Sequence, residues 1–293
     1  MKPSRVLVLG ASGQVGREVV QQALDRGLDV RAAARSEGDP DRSFDLARPE
    51  SARRIVKVDA PDHVFLTAAP ASVVWCEMHP EESRVLTVTA TEAIAAACRE
   101  VGSSLAFVST DYVFGGEAGP PGEQDPVGPL NAYGRHKLEA ESVVLGTDPR
   151  NLVVRTCQVF GVDPRRRNYV LTVADRLLAG KQVDAAANLF GTPTYAPDLV
   201  RRLLDLCLAR ERGVWHVAGE TFLSRYALAI EVARAFGADA SLVNVVVWDR
   251  SADPTNRPLH AGLRNDRLRA RGMPSMTTLP DALDVLALEV GAR

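Results

Sequence analysis

The stretch VLVLGASGQVG, residues 6–16, joins four consecutive aliphatic residues to three glycines spaced GxxGxxG. A short aliphatic run of this kind is typical of a buried parallel strand, and residues 17–26 carry apolar positions at helical spacing. Glycines between a strand and a helix allow a sharp turn and a close approach of a phosphate to the backbone, and the helix N-terminus attracts anions. The stretch therefore predicts a nucleotide-binding strand–turn–helix, with a tight turn that binds no ligand as the alternative.

The rest of the chain continues to alternate apolar strand patterns with helical patterns. This alternation predicts an α/β fold with a doubly wound parallel Rossmann sheet. The chain has 293 residues, a length that fits one nucleotide-binding domain with a smaller appended lobe.

The bulk composition is that of an ordinary globular protein, with 46% hydrophobic and 25% charged residues. The net charge of -2 provides no general attraction for nucleic acid or anionic membranes. No stretch approaches the roughly 20 apolar residues that span a bilayer. The four cysteines form no CxxC pair, which disfavours a zinc site and suits a reducing compartment. We therefore expect a cytoplasmic protein that binds neither nucleic acid nor membrane.

The end of the second predicted strand bears on the choice between NAD and NADP. An NAD site usually places Asp or Glu there, but residues 30–36 read VRAAARS. Arg35 can form a forked pair with a 2′-phosphate, and Ser36 can add a hydroxyl. We predict NADPH, with a solvated arginine beside a loop as the alternative. Asp45 is then placed to contact the adenine, unless it is a surface-loop aspartate.

Tyr133 and Lys137 are four residues apart, a spacing that puts both side chains on one face of a helix. A free tyrosine has a pKa of about 10, and a nearby ammonium lowers that pKa by stabilising the tyrosinate. The tyrosine can then act as a general acid toward a carbonyl oxygen while a nicotinamide supplies hydride. The alternative is a surface tyrosine with a solvated lysine one turn further on.

The segment STDYVF, residues 109–114, directly follows a predicted strand. Open α/β sheets bind their ligands at the carboxyl ends of the strands. Thr110 or Ser109 is therefore expected to donate a hydrogen bond to a substrate carbonyl, with a strand-end cap as the alternative.

Several motifs together resemble the dTDP-4-dehydrorhamnose reductase family of the extended short-chain dehydrogenase/reductases. They are STDYVF (109–114), EQDP (123–126), PLNAYGRHKL (129–138), VRT (154–156), GTPTYAPDL (191–199), WHVAG (215–219) and NRP (256–258). The resemblance covers nearly the whole chain. It implies nicotinamide-dependent reduction of the 4-keto group of a nucleotide-linked (dTDP) 6-deoxysugar.

Carried over by position, the resemblance implies a catalytic set of Thr110, Tyr133 and Lys137. The residues assigned to the substrate are Asp111, Tyr112, Gln158 and Arg257. The residues assigned to the cofactor are Gly10, Ser12, Gly13, Gln14, Val15, Arg35, Ser36, Asp45, Leu46, Ala68 and Ala69, together with Tyr133 and Lys137. The implied domains are an NADP-binding Rossmann domain, residues 1–156, and a mainly substrate-binding lobe, residues 157–293. The strand pattern at 214–217 is expected to return to the Rossmann sheet.

The sequence departs from the family in the stretches expected near the substrate. Gln158 stands where the family usually has a tryptophan, and His136 replaces the serine before the lysine. Thr67 replaces an asparagine before Ala68 and Ala69. We expect Gln158 to face the substrate near Thr110 and Tyr133, with a loop-capping role as the alternative. These departures leave a different keto-sugar, or a non-sugar carbonyl, open as the substrate.

Two further alternatives concern catalysis and assembly. The regulatory subunit of methionine adenosyltransferase resembles the same reductases, so an NADP-binding partner subunit without turnover stays open. Some family members hold a metal at a dimer contact through an acid that Glu18 matches. The sequence offers no partners for Glu18, so we predict no required metal, and a homodimer stays open.

Overall fold

The glycines of residues 10–16 connect a buried strand to a helix in the computed structural model, which describes residues 3–35, 43–117 and 119–291. The strand, β1 (Arg5–Leu9), leads into helix α1 (Gln14–Asp25). The four aliphatic side chains at 6–9 are completely buried. Their burial explains the uninterrupted apolar run, because a parallel strand covered on both faces has no solvent side.

The described chain alternates strands with helices over most of its length. The strands are β1, β2 (Asp29–Ala33), β3 (His63–Leu66), β4 (Ser104–Thr110), β5 (Leu152–Thr156), β6 (Val159–Phe160), β7 (Val183–Ala186), β8 (Phe190–Gly191), β9 (Thr194–Tyr195), β10 (Gly213–His216), β11 (Leu223–Ser224) and β12 (Val243–Val246). The α-helices are α1, α2 (Pro49–Asp59), α3 (Val73–Met78), α4 (Pro80–Arg84), α5 (Ala90–Val101), α6 (Ala132–Thr147), α7 (Tyr169–Leu178), α8 (Ala196–Leu208), α9 (Arg225–Phe236), α10 (Asp266–Ala270) and α11 (Leu279–Glu289). A π-helical segment, Val85–Thr89, precedes α5, and 3-10 turns occupy Asp111–Val113, Ala240–Leu242 and Arg250–Ala252.

Six strands of the described chain form one sheet in the order β10-β5-β4-β3-β1-β2. The pairs β1–β2, β1–β3 and β3–β4 are parallel. The chain moves outward from β1 to β2 and then returns to the other side of β1, so the winding direction switches between β1 and β3. The fold is the doubly wound parallel Rossmann sheet expected from the sequence. Folds of this kind bind ligands at the carboxyl ends of the strands beside the switch point.

The chain divides into two compact units whose boundaries differ from the sequence-based division at residue 156. The first unit comprises Met1–Val113, Pro129–Arg155 and Val200–Trp215, and the second comprises Phe114–Gly128, Thr156–Leu199 and His216–Arg293. Assignment of all residues before 157 to the Rossmann domain is therefore wrong for the Gly- and Pro-rich segment 114–128. Its polar groups pair with the end of the chain: Arg264 N–H donates to the Pro121 carbonyl at 2.8 Å, and His260 N–H to the Gly116 carbonyl at 3.1 Å.

The first unit has its core around the sheet, where Leu7, Val64 and Phe107 are among the buried side chains that meet residues of α2, α5 and α6. The second unit has a separate core in which α9 packs against α7 and α11. Strand β12 pairs in parallel with β7 beside α9. Each unit thus satisfies the requirement that a sheet or helix bury its apolar face against another element.

All four cysteines are buried free thiols. Burial raises the pKa of Cys98 and of Cys207 to about 12, which keeps both uncharged. Within residues 3–35, 43–117 and 119–291, no helix is both long enough and apolar enough to cross a membrane.

Candidate active site

Gly10 and Gly16, in the glycine turn after β1, lie at positions where any larger residue would clash. Gly10 has a φ of 102°, and a Cβ there would lie 2.7 Å from the backbone nitrogen of Ala68. A Cβ on Gly16 would lie 2.2 Å from the Gly10 carbonyl oxygen. The turn therefore brings α1, β1 and the residue after β3 closer together than any side chain permits.

The N-terminus of α1 keeps its first N–H groups free of side-chain caps. Gly13 is the capping residue and provides no side-chain hydrogen bond. The Gln14 side-chain nitrogen is buried and has no hydrogen-bond partner. Backbone N–H groups at a helix start favour a phosphate, and an unsatisfied buried donor beside them favours an additional acceptor. This turn fits a dinucleotide pyrophosphate, and Ser12 and Val15 lie in the same segment.

The adenosine end of the expected cofactor site is only partly described. Arg35 follows β2 and is exposed, and Ser36 lies outside the described residues. The half-buried Asp45 accepts a hydrogen bond from the Ala47 N–H at 3.0 Å and thereby shapes its own loop. Leu46 packs on the core of the first unit. The cofactor contacts of these residues stay predictions.

Thr110 ends β4 at the same edge of the sheet as the glycine turn, because β1 and β4 both run parallel to β3. Its hydroxyl donates to a carboxylate oxygen of Asp111 at 3.1 Å and accepts from the Tyr112 N–H at 3.2 Å. Thr110 and Asp111 are 6% and 3% exposed. The neighbouring Ser109 hydroxyl is buried without a hydrogen-bond partner.

Tyr133 reaches this cluster from the first turn of α6. Its side chain lies beside Thr110, and its ring meets the Tyr112 ring edge-on at 5.9 Å. Burial raises the pKa of Tyr133, the neighbouring Thr110 hydroxyl opposes that rise, and the carboxylate of Asp111 adds to it. The sequence-based expectation of a lowered pKa is therefore wrong for the protein alone, because desolvation of the phenol dominates. Tyr133 keeps its proton at neutral pH.

Lys137 lies one turn further along α6 and is only 2% exposed. Its Nζ donates to the Val108 carbonyl at 2.6 Å and lies 3.9 Å from the centre of the Phe107 ring. Burial lowers the pKa of Lys137 to about 7, and the charge of Glu141 opposes that lowering. Lys137 is thus a buried amine that loses its proton more readily than a solvated lysine does.

Several residues that the sequence did not single out position the start of α6. Asn131 caps the helix by accepting from the Gly134 N–H at 2.9 Å, and Glu77 accepts from the Ala132 N–H at 2.6 Å. A Cβ on Gly134 would lie 2.1 Å from the Tyr112 carbonyl oxygen, so this glycine allows Tyr133 to approach the end of β4. The sequence does contain a signal for this helix start, because Asn131 directly precedes a helical pattern.

His136, which departs from the family pattern, forms a buried contact with α4. Its Nδ1 is 2.9 Å from the Ser83 hydroxyl. Burial lowers the pKa of His136, so the ring is neutral at neutral pH. His136 therefore anchors the helix that carries Tyr133 and Lys137.

Gln158 and Arg257, expected to bind substrate, belong to the second unit. Gln158 has a φ of 45°, and its side chain lies against Gly191, where a Cβ would be 2.1 Å from the amide nitrogen. The Arg257 guanidinium lies 5.1 Å from the centre of the Trp248 ring. Their approach to Thr110 and Tyr133 stays a prediction.

Comparison with known proteins identifies the family. Residues 4–289 match the family described as "RmlD substrate binding domain". The dTDP-4-dehydrorhamnose reductase of Mycolicibacterium smegmatis is 35% identical, over 98% of this chain and 86% of its own length. This chain belongs to the dTDP-4-dehydrorhamnose reductase (RmlD) family.

Two further proteins are similar to this chain, one by its structure and one by its sequence. The crystal structure of a Bacillus anthracis dTDP-4-dehydrorhamnose reductase in complex with NADP has a TM-score of 0.90 and 23% identity, covering 98% of this chain and 99% of that one. This likeness shows the fold. Methionine adenosyltransferase 2 subunit beta of Danio rerio is 29% identical, over 94% of this chain and 87% of its own length.

Proposed function

We propose that this protein uses NADPH to reduce a keto group, specifically the 4-keto group of a dTDP-linked 6-deoxysugar. The observation that carries the proposal is the grouping of the half-buried Tyr133 with the buried Thr110 and Lys137, at the sheet edge that also carries the glycine turn. A proton donor and a cationic group at the ligand-binding edge of a Rossmann sheet suit carbonyl reduction.

The residues of the first unit fit the cofactor. The glycine turn and the N-terminus of α1 would hold the pyrophosphate. Arg35 would pair with the 2′-phosphate, because β2 ends without a carboxylate that would hold the ribose of NAD. The bound nicotinamide supplies the hydride.

Tyr133 acts as the proton donor. Burial keeps its phenol protonated at neutral pH, so Tyr133 holds a proton to donate. A carbonyl oxygen placed beside Tyr133 can receive that proton as its carbon is reduced. The charged form of Lys137 would stabilise the tyrosinate that is left, since the site is buried and its dielectric is low.

The name of the Mycolicibacterium relative supports the substrate class, and Gln158 bears on its finer identity. Gln158 can both donate and accept hydrogen bonds. It would select a sugar with a further polar group, whereas the tryptophan usual in the family would offer an apolar face. Asp111, Tyr112 and Arg257 complete the proposed substrate contacts.

The purified protein, incubated with NADPH and dTDP-4-dehydrorhamnose, should consume NADPH in proportion to sugar reduced. Loss of absorbance from NADPH and the mass of the product measure this directly. NADPH consumption with a simple ketone but with no nucleotide sugar would instead identify a non-sugar carbonyl reductase.

A second candidate follows from the similarity to methionine adenosyltransferase 2 subunit beta. In that role the protein would bind NADPH and a partner enzyme without turnover. NADPH binding by calorimetry, without oxidation by any keto-sugar nucleotide tested, would favour this role over the proposed one.

A further inference from the structure

A buried ion pair lies beside the Lys137 amine. Glu141 follows Lys137 by four residues on α6, so both side chains lie on one face of the helix. Glu141 pairs with Arg155 of β5, and the two side chains are 3% and 6% exposed. Burial of two charges carries a large desolvation cost, which makes a purely stabilising role a poor explanation.

The ion pair holds the Glu141 carboxylate in one orientation. Arg155 Nε donates to both carboxylate oxygens, at 2.9 and 3.1 Å, and its Nη2 donates to one of them at 2.6 Å. Both oxygens therefore accept charge-assisted hydrogen bonds, which fix the position of the carboxylate. Glu141 is a fixed negative charge in a water-poor part of the first unit.

The direct contacts of Lys137 are neutral, namely the Val108 carbonyl and the Phe107 ring. The titratable groups that act on the Tyr133–Lys137 pair are Glu141 on α6, Cys76 on α3, and Asp111 and Tyr112 after β4. Burial raises the pKa of the Cys76 thiol, so that group is uncharged at neutral pH. Asp111 and Tyr112 act on Tyr133. Glu141 is the anion that acts on Lys137.

We propose that Glu141, held by Arg155, is a positioning residue that keeps the Lys137 amine in its charged form. Burial favours loss of the Lys137 proton, and the fixed carboxylate one turn away offsets that effect. The proposal deepens the proposed function and rests on it, because a charged Lys137 matters for stabilising the Tyr133 phenolate. The charge of Lys137 can be measured without any substrate.

The chain has four lysines, Lys2, Lys57, Lys137 and Lys181, so lysine-selective ¹³C labelling gives few Cε signals. The signal lost in Lys137→Met identifies Lys137. Its titration midpoint is then compared in the wild type, in Glu141→Gln and in the double variant Glu141→Leu/Arg155→Met. The double variant replaces the pair by apolar groups and avoids a buried arginine without its carboxylate partner. We expect the midpoint to fall by about one pH unit or more in each.

Glu139→Gln is the matched control, since Glu139 is on the same helix and pairs with Arg84 at the surface. This control variant should leave the titration midpoint of Lys137 unchanged. An unchanged midpoint in the folded Glu141 variants, or an equal change in Glu139→Gln, overturns the proposal. Failure of both Glu141 variants to fold also overturns it, in favour of a purely structural pair. Absence of keto-sugar reduction in the wild type would count against the proposed function but not against this midpoint shift.

Discussion

The Thr110 hydroxyl, which lies beside the Tyr133 side chain, donates to a carboxylate oxygen of Asp111 at 3.1 Å. Sequence reasoning placed Thr110 as a donor to the substrate carbonyl. In the protein alone the single proton of that hydroxyl is directed at Asp111, and its donation to a substrate stays a prediction. Burial keeps the Tyr133 phenol protonated at neutral pH, so Tyr133 holds the proton that the proposed reduction needs.

The approach of α6 to the end of β4 should depend on Gly134. Gly134→Ala places a Cβ against the Tyr112 carbonyl oxygen, 2.1 Å away, so the start of α6 must shift. We expect turnover to fall at least about tenfold, since misplacement by 1 Å can cost far more. Gly146→Ala is the control on the same helix, where a Cβ meets open space. It should raise the free energy of unfolding by roughly 0.5–1 kcal/mol and leave turnover unchanged. Equal turnover in the two variants would show that the close approach is unimportant.

Lys137 should make the stability of the protein depend on pH. Burial lowers the pKa of Lys137 from its usual 10.5 to about 7. At a pH below the pKa of the folded protein, Lys137 is charged although it is buried. At a pH above the pKa of the unfolded chain, Lys137 is uncharged in both the folded and the unfolded state. The free energy of unfolding therefore rises with pH between these two pKa values. The full difference between the two pKa values corresponds to about 5 kcal/mol in the free energy of unfolding, at roughly 1.36 kcal/mol per pH unit.

Lys137→Met removes the buried amine and with it this pH-dependent contribution to the free energy of unfolding. The variant should therefore exceed the wild type in free energy of unfolding by a few kcal/mol at about pH 6, and the excess should shrink toward about pH 10. Urea unfolding at both pH values measures it. An excess that stays constant or grows with pH would contradict the buried, depressed lysine.

The cofactor preference should depend on Arg35. Arg35→Ala removes the proposed partner of the 2′-phosphate and should weaken NADPH binding by about 1–3 kcal/mol, with little change for NADH. Arg31→Ala is the matched control, because Arg31 lies on β2, the strand that Arg35 follows, and pairs with Asp29. Calorimetric binding of both cofactors separates the effects. Equal losses for NADPH and NADH in Arg35→Ala would remove Arg35 from the site.

Substrate selection should depend on how Gln158 lies against Gly191. Gly191→Ala places a Cβ 2.1 Å from the Gln158 amide nitrogen and must displace that side chain. We expect both Gly191→Ala and Gln158→Trp to change the ratio of kcat/KM for dTDP-4-dehydrorhamnose and dTDP-4-keto-6-deoxyglucose by about tenfold, the loss of one hydrogen bond. Gly146→Ala should leave the ratio unchanged. A flat ratio in both variants would mean that Gln158 only shapes its loop.

The parts of the fold that follow from local pattern could be predicted from the sequence. The run 6–9, the helix over Arg225–Phe236 and the strand near 213–216 each have strong periodicity or length, and the structure contains them. The helix α2 and the pair β7–β12 were not predicted. Strand β7 (VDAA) is short and depends on pairing with residues 60 positions later. Such pairing has no local signal.

The site residues followed from motif spacing, but their electrostatics did not. The sequence placed Tyr133 and Lys137 on one helical face, and α6 contains both. Their pKa shifts depend on burial and on Asp111 and Glu141, and thus on packing. The Ser83–His136 contact joins residues 53 positions apart and has no signature in either segment. Division of the chain at one boundary failed for a similar reason, since the segment 114–128 pairs with residues near 260.

The most direct test of the central claim compares NADPH oxidation by the wild type and by Tyr133→Phe, with dTDP-4-dehydrorhamnose as substrate. The variant keeps the ring and loses the proton, so turnover should fall by roughly 10²–10⁴-fold while NADPH still binds. Tyr195→Phe is the control, since that hydroxyl is 3.5 Å from Glu289 and lies in the second unit; it should match the wild type. Turnover by Tyr133→Phe close to that of the wild type would contradict the claim that Tyr133 donates the proton.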